Sequence, residues 1–407
     1  MQTSYAKIAG AFLLITLFAF YGCEQSNITD VSPAQQEEID SRSGDPIPGQ
    51  YIVVFKSTDS KGKAISGIQV DDMRSSILRD NAITTDAVFK QYNKALPGFA
   101  ANLSDEELNR LKADRRIDYI EQDKVVKLAP PCGTPNGGPC DGDGGGDGGS
   151  GQTTPWGITR VGGPVASSGT AWILDSGIDL DHPDLNVDVN RSATFISKGK
   201  DSKNADDGNG HGTHVAGTIA ALDNDIDVVG VAPGASVVAV KVLDSRGSGS
   251  YSGVIAGVDY VAANASNGDV ANMSLGGPTS QALDDAIRNA ADAGVKFALA
   301  AGNSGDNANN YSPARVEYNN VWTVSATDDT DTFASFSNYS GPTDPPIEFA
   351  APGVGILSLY KDGGTATLNG TSMASPHVAG LLLLGNPTAD GSANNDPDGD
   401  PDPIAHN

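Results

Sequence analysis

The feature that most constrains the fold is a repeated exchange of strand-like and helix-length segments beyond residue 152. Short apolar runs, each the length of a buried strand, cover residues 171–174, 237–242, 270–274, 296–301 and 321–326. Apolar strands that alternate with helices are typical of a parallel sheet buried on both faces. The sequence therefore predicts an α/β domain in which a mostly parallel sheet is flanked by helices.

Polar residues of catalytic type accompany these runs. Asp175 follows the first run and Asn303 follows the fourth, while His211 lies in Gly-His-Gly-Thr-His and Ser372 lies in Gly-Thr-Ser-Met-Ala-Ser-Pro-His. Open α/β sheets place their sites at the carboxyl ends of strands, so these residues are expected to meet.

The expected chemistry is nucleophilic catalysis. A serine hydroxyl is a weak nucleophile, which needs an imidazole to take its proton and a carboxylate to orient that imidazole. Ser372, His211 and Asp175 supply one group of each kind. The Asn303 amide and the backbone N–H of Ser372 are the expected donors to the oxyanion.

In these motifs the chain resembles the subtilase family of serine proteases, over about residues 152–384. The resemblance implies a subtilisin-like fold and a serine endopeptidase that forms an acyl-enzyme on Ser372. It also implies that Asp175 orients the imidazole, that His211 is the general base and then the acid, and that Asn303 stabilises the oxyanion. Two alternatives remain: an inactive subtilase that binds peptides or Ca²⁺ at the cell surface, and an esterase that uses the same acyl chemistry.

The resemblance extends to substrate binding. Residues 272–277, Asn-Met-Ser-Leu-Gly-Gly, are similar to the strand on which the family lays a peptide as an added β-strand, which favours protein or peptide substrates. The pocket for the side chain before the scissile bond is expected to accept medium or large apolar residues, because its walls carry no charge. These walls are assigned to Ser274, Leu275, Gly276, Gly277, Ala300 and Gly302.

A loop after the His211 motif is similar to a calcium-binding loop of the family. Six oxygen ligands are implied, which suits Ca²⁺. They are the carbonyl oxygens of Leu222, Ile226 and Val228 and the side chains of Gln152, Asp184 and Asn224. The alternative is an ordinary surface loop with solvent-facing acidic residues.

Residues 49–128 predict a separate unit. Strand-like segments at 51–55, 88–92, 98–103 and 117–128 alternate with helix-like segments at 71–80 and 104–113, the second opened by a Ser-Glu capping box. This order predicts a small α+β ferredoxin-like fold. The unit resembles the family's inhibitory propeptide, which implies an intramolecular inhibitor and folding chaperone, removed by self-cleavage between Leu128 and Gln152.

The N-terminus predicts export. Residues 1–23 read as a signal peptide, because the apolar run at 8–21 is too short to span a bilayer comfortably. Cys23 resembles the end of a lipoprotein signal, although the aromatic pair before it departs from that pattern. Export is therefore the expectation, and lipid anchoring and ordinary cleavage both remain open. Residues 24–48 predict a polar tether.

The remaining segments are assigned by composition. The Gly- and Pro-rich residues 129–150 predict a linker, in which Cys132 and Cys140 are expected to form a disulfide after export. The catalytic domain is expected at 151–385, about 40 residues short of the usual size in the family. The acidic residues 386–407 predict a solvated, disordered tail, with weak Ca²⁺ binding as the lesser alternative.

Charge excludes one class of partner. The 407 residues include 26 basic and 51 acidic side chains, a net charge of −25, so the chain is poorly suited to neutralise phosphates. We expect no nucleic-acid partner. We expect a monomer.

Overall fold

The computed structural model describes residues 42–56, 67–128, 151–341 and 347–407. Its α-helices are α1 Gly67–Asp80, α2 Asp105–Ala113, α3 Trp156–Arg160, α4 His211–Ala220, α5 Tyr251–Asn264, α6 Gln281–Asp292 and α7 Thr371–Leu384. The predictions for the signal peptide, for most of the tether and for the cysteine-containing linker lie outside the described residues.

The strands are numbered in chain order. Those of the first unit are β1 Pro46–Phe55, β2 Val88–Tyr92, β3 Gly98–Asn102 and β4 Ile117–Lys127. Those of the second begin with β5 Thr170–Asp175, β6 Ala193–Thr194, β7 Ser236–Lys241, β8 Ser248–Ser250, β9 Val270–Met273, β10 Gly277–Pro278, β11 Lys296–Ala300 and β12 Tyr311–Ser312. The rest are β13 Val321–Thr327, β14 Ile347–Pro352, β15 Ile356–Tyr360, β16 Gly364–Leu368, β17 Thr388–Ser392 and β18 Pro403–His406.

The first unit is the predicted α+β sandwich. Its elements follow the order β1, α1, β2, β3, α2, β4, and the strands pair as β2-β3-β1-β4, all antiparallel. The Ser104 hydroxyl accepts from the N–H of Glu107, whose carboxylate accepts from the N–H of Ser104, so α2 begins with the predicted capping box.

Both faces of this small sheet are covered. On β1, Val53 and Phe55 pack with α1 and α2, whereas Ile52 and Val54 face α5 and α6 of the second unit. Successive side chains of a strand point to opposite faces, so alternate residues of this buried run belong to two different hydrophobic cores. The first unit therefore sits on two helices of the second through an apolar face.

The second unit has the predicted parallel sheet with helices on both sides. Its strand order is β17-β18-β14-β13-β11-β9-β5-β7-β6, and every neighbouring pair is parallel except β17 with β18. On β5, Trp172 and Leu174 face α5 and α6, while Ala171 and Ile173 face α4 and α7. The expected fold class is confirmed, and the strand ends at one edge are free to carry a site.

The prediction of a disordered tail at 386–407 is wrong. Strand β18 adds to the edge of the main sheet beside β14, with Ala350 opposite Ile404, and β17 folds back along β18. Ile404 and Ala405 are fully buried. The acidic composition of the segment obscured Ile404 and Ala405 in the sequence. Strand β18 forms because β14 has an unpaired edge with which it can form hydrogen bonds.

No helix within the described ranges is both long and apolar enough to cross a membrane.

Candidate active site

Asp175 is the last residue of β5 and is completely buried. The N–H of Ser176 donates to its Oδ1 atom at 2.7 Å. The backbone carbonyl of Asp175 accepts from Val242 and Leu243, which follow the neighbouring strand β7, at 2.9 and 3.1 Å. The carboxylate is therefore fixed at the carboxyl edge of the sheet, where the sequence predicted it.

His211 is the first residue of α4, and its ring faces Asp175. The Nδ1 atom lies 2.8 Å from Oδ1 and 2.9 Å from Oδ2 of that carboxylate. Burial alone lowers the pKa of an imidazole, but the charge and hydrogen bond of Asp175, with a further contribution from Asp207, raise the pKa of His211 above its ordinary value. This pair can hold a proton on Nδ1 and leave Nε2 to exchange one.

Ser372 is the second residue of α7, the helix that follows Gly370. Its hydroxyl donates to the carbonyl oxygen of Ser274 at 3.2 Å, and the Ser274 hydroxyl donates back to the carbonyl of Ser372 at 2.8 Å. These two bonds fasten the start of α7 to the segment after β9.

Asn303 lies beside the start of the same helix. Its Oδ1 atom accepts from the N–H of Thr371 at 2.8 Å and from the Thr371 hydroxyl at 2.9 Å, which turns the amide nitrogen away. A Cβ placed on Gly370 would be 3.3 Å from that nitrogen and 3.6 Å from the backbone nitrogen of Ser372. The two predicted oxyanion donors therefore converge on one small space, which the missing side chain of Gly370 leaves open.

The predicted pocket residues surround these groups. Ser274 is buried and accepts from the Asn272 amide at 2.9 Å, while Leu275 is 5% exposed. Ala300 ends β11, and its neighbour Gly302 donates its N–H to the Thr371 hydroxyl at 3.0 Å. Gly276 links this wall to Gly277, which lies in β10, paired with β12. None of the predicted wall residues has an ionisable side chain.

The end of the first unit pairs with strand β8 of the second. Strand β4 lies antiparallel to β8, with Val126 opposite Gly249, and the N–H of Leu128 continues the ladder by donating to the carbonyl of Gly247 at 2.9 Å. A Cβ on Gly249 would strike the carbonyl of Val242, so β8 packs on the segment that touches Asp175. An extended piece of the chain therefore occupies a strand-binding edge next to the segment that contacts Asp175.

Known protein families match the chain in two places. The pattern of the subtilase family matches residues 172–389, and that of peptidase inhibitor I9 matches residues 50–129. The chain belongs to the subtilase family. The predicted resemblance is confirmed, and this subtilase is a serine endopeptidase with an inhibitor-type domain ahead of the catalytic one.

Similar proteins agree with this assignment. This subtilase is 40% identical over 351 residues to alkaline serine exoprotease A of Vibrio alginolyticus, covering 83% of this chain and 60% of that protein. It is 38% identical to the M-protease of Shouchella clausii, covering 82% and 80% of the two chains. It is also 38% identical to an extracellular serine proteinase of a Thermus species, covering 93% and 90%.

The residues predicted to bind Ca²⁺ lie together in this subtilase. The Gln152 amide nitrogen donates to the carbonyl of Leu222 at 2.7 Å and to that of Val228 at 3.5 Å. The Asn224 amide nitrogen donates to Oδ1 of Asp184 at 2.6 Å. Ile226 belongs to the same loop as Asn224. Its backbone N–H donates to the Asn224 side-chain oxygen at 2.8 Å.

One atom of this cluster fits a cation. Asp184 is fully buried, and its Oδ2 atom has no hydrogen-bond partner among the described residues. Burial raises the pKa of Asp184 to about 6. The same part of the chain contains no group of three or more His, Cys, Asp or Glu that could hold a metal, so a cation here would depend on one carboxylate with carbonyl and amide oxygens. Both amides now present nitrogen and would have to turn.

Two other histidines of the family motifs are structural in this arrangement. His214 Nε2 lies 3.0 Å from the carbonyl of Ile356, and His377 Nδ1 lies 2.8 Å from that of Met373. Burial lowers the pKa of His214 to about 3 and that of His377 to about 4. Both imidazoles are therefore neutral near pH 7, and the second ring nitrogen of each has no hydrogen-bond partner among the described residues, whereas Nδ1 of His211 is paired with a carboxylate.

Sequence reasoning missed two parts of the site. Strand β8 has the sequence Ser-Gly-Ser, which carries no alternating apolar pattern, and it is a strand only because β4 pairs with it. Asp207 and Ser176 were also missed, although Ser176 directly follows Asp175 and Asp207 lies four residues before His211. Four of the five donors to Asp207 lie within six positions of it, but the bonds of the Ser176 hydroxyl with Asp207 and Gly212 join residues 31 and 36 positions apart, which no motif predicts.

Proposed function

We propose that this subtilase is a secreted serine endopeptidase, made as an inhibited zymogen that cuts its own chain between Leu128 and Gln152. The observation that carries the proposal is the pairing of β4 with β8, which continues to Leu128, because β8 packs on Val242, whose N–H donates to the carbonyl of Asp175. Main-chain pairing is how extended peptides bind a sheet edge, and it makes no demand on side-chain sequence. The first unit thus supports roles as product-like inhibitor and as folding chaperone.

In the proposed reaction, Ser372 attacks the scissile carbonyl. His211 takes the Ser372 proton at Nε2 and later gives it to the leaving amine, and Asp175 stabilises the imidazolium in between. Water then releases the acyl group with the same base. Since the Ser372 hydroxyl now donates to Ser274, it must first turn toward the imidazole.

The Asn303 amide and the Ser372 N–H would donate hydrogen bonds to the oxyanion of the tetrahedral intermediate. Their convergence at Gly370 supports this role, because preorganised donors stabilise the oxyanion without rearrangement. The uncharged wall from Ser274 to Gly277, with Ala300 and Gly302, supports medium or large apolar residues before the scissile bond. Proteins and peptides are the proposed substrates of a monomeric enzyme.

We assign structural Ca²⁺ to the cluster around Asp184. The buried, unpartnered Oδ2 atom supports the assignment, as does the proximity of the Leu222 and Val228 carbonyls to Gln152. Asn224 and Ile226 complete the proposed ligands. When bound, the ion would neutralise the buried carboxylate and fasten the N-terminal residues of the catalytic domain to the loop after α4.

The proposed location is outside the cell. The signal-like residues 1–23 support export, and the Thermus relative is named an extracellular proteinase. Anchoring through Cys23 is the second form of the same proposal. Intact-mass analysis of the protein from the producing cells separates the two, because a lipid on Cys23 adds mass that ordinary cleavage does not.

Mass spectrometry after incubation with Ca²⁺ tests self-cleavage. Purified wild type should yield fragments cut between Leu128 and Gln152, whereas the Ser372→Ala variant should stay whole. Addition of a trace of wild type to the variant separates cleavage within one chain from cleavage between chains. Folded wild type that stays uncut would favour the inactive subtilase, and cleavage of both proteins would remove Ser372 from the reaction.

A further inference from the structure

Asp207 lies in the loop before α4 and is only 5% exposed. Its carboxylate accepts five hydrogen bonds: from the Ser176 hydroxyl at 2.9 Å, from the N–H groups of Asn209 and Gly210 at 2.9 Å each, and from the N–H and hydroxyl of Thr213 at 3.0 and 2.7 Å. Donors surround it, which is the environment of an ionised carboxylate. It also takes the place of an N-cap side chain, because the residue at that position of α4 is Gly210.

Ser176 connects this carboxylate to the catalytic one. Its N–H donates to Asp175 at 2.7 Å, its hydroxyl donates to Asp207, and the same hydroxyl accepts from the N–H of Gly212 at 3.0 Å. One buried side chain therefore bridges the end of β5, which carries Asp175, and the first turn of α4, which carries His211. The reaction proposed above gives neither Ser176 nor Asp207 a task.

We propose that Asp207 is a positioning residue for His211. Acting through Ser176 and the first turn of α4, it sets the separation of the imidazole from Asp175, and its charge favours the imidazolium that forms during catalysis. The inference rests on the proposed roles of Asp175, His211 and Ser372.

Other titratable and charged groups lie around His211 and Asp207, and they also contribute to the electrostatic environment of the imidazole. They are Asp175, His214, Lys241 with its partner Asp201, Asp179, Asp181 and Asp206, and Tyr360, Lys361 and Asp362 of the β15–β16 hairpin. Lys241 and Lys361 are turned to the carbonyls of Ser176 and Gly208. Besides burial, which lowers the pKa of His211, the charges of Asp175 and Asp207 raise it.

The test compares three variants with the wild type. Each is matured from the full chain, its active sites are counted by titration with an acylating inhibitor, and kcat and KM for a peptide anilide are measured against pH. In Asp207→Asn, the acid limb of kcat/KM should move down by about half a pH unit, since a nearby unit charge is lost. Its kcat should fall about tenfold as the imidazole is displaced.

The other variants separate charge from geometry. Ser176→Ala keeps both carboxylates but breaks the bridge, so kcat should fall several-fold with KM and the acid limb unchanged. Asp206→Asn removes a neighbouring carboxylate, which accepts from the N–H of Leu180 at 3.4 Å. This variant should change neither kcat nor the acid limb of kcat/KM. This control has the same charge change as Asp207→Asn one residue away.

Wild-type kcat in Ser176→Ala, or an unmoved acid limb in folded Asp207→Asn, overturns the proposal. If Asp207→Asn does not fold, Ser176→Ala decides alone. Failure of the proposed function looks different: the wild type would show no acid limb, or Ser372→Ala would retain activity.

Discussion

The strength of self-inhibition should depend on Asp259, a residue of α5 to which the proposed reaction gives no role. Its carboxylate accepts from the N–H groups of Asn93, Lys94 and Ala95 in the first unit, at 3.1, 2.6 and 2.7 Å. These three consecutive donors lie in the turn between β2 and β3. Replacement of Asp259 by Ala keeps a good helix former in α5 and leaves all three donors without the carboxylate.

The expected loss of binding free energy follows from the N–H donors that lose the Asp259 carboxylate. A hydrogen bond to a charged group contributes about 1.5–3 kcal/mol, but the Lys94 N–H is exposed and can bond to water instead. Two effective bonds that share one carboxylate give about 3 kcal/mol, and each 1.4 kcal/mol is a factor of about ten in a dissociation constant. The cleaved first unit should therefore bind about a hundredfold more weakly.

The assay is recovery of peptidase activity when the self-cleaved complex is diluted. The Asp259→Ala complex should release activity at about a hundred times the concentration at which wild type does. Asp285→Ala is the matched control, because Asp285 receives one bond across the same contact, from the Tyr119 hydroxyl at 2.8 Å, and its loss should cost about tenfold. Equal dilution curves for Asp259→Ala and wild type would refute the reasoning.

Four further outcomes are expected. Gly370→Ala should lower kcat at least about tenfold with little change in KM, because its Cβ would lie 3.3 Å from the Asn303 amide nitrogen and φ is +148°. Chelation should lower the melting temperature of wild type by several degrees but not that of Asp184→Ala, as measured by calorimetry. Burial raises the pKa of Asp402 to about 8, so the native state loses stability as pH rises from about 4 through 8, and Asp402→Asn should raise the melting temperature more at pH 9 than at pH 5. Removal of residues 386–407 should lower the melting temperature or cause aggregation, since it uncovers the edge of β14; an unchanged soluble enzyme would contradict the role given to β18.

Much of the architecture could be predicted from the sequence because its cause is local. The strand runs of the main sheet, the capping box of α2 and the end of β5 at Asp175 all follow from hydrophobic period or from short motifs. The motifs around His211 and Ser372 were informative because each ties a reactive side chain to the first turn of a helix, where its backbone is fixed.

The parts that escaped prediction depend on distant partners. Strand β8 lacks apolar residues and is held by β4, more than a hundred positions earlier. Strand β18 has two buried apolar residues in an acidic segment and exists because β14 has a free edge. The Asp207 carboxylate is one of several acidic side chains near His211, and the bond that connects it to Asp175 comes from Ser176, 31 positions earlier in the chain. Neither composition nor spacing encodes such pairings.

The most direct test of the account is to trap the acyl-enzyme and locate it. Mature enzyme is mixed with an activated peptide ester, quenched in acid and digested, and the modified peptide is sequenced by mass spectrometry. The account predicts a single acyl group on Ser372, absent from His211→Ala. Acylation of another residue, or acyl transfer that continues undiminished in Ser372→Ala, would contradict it.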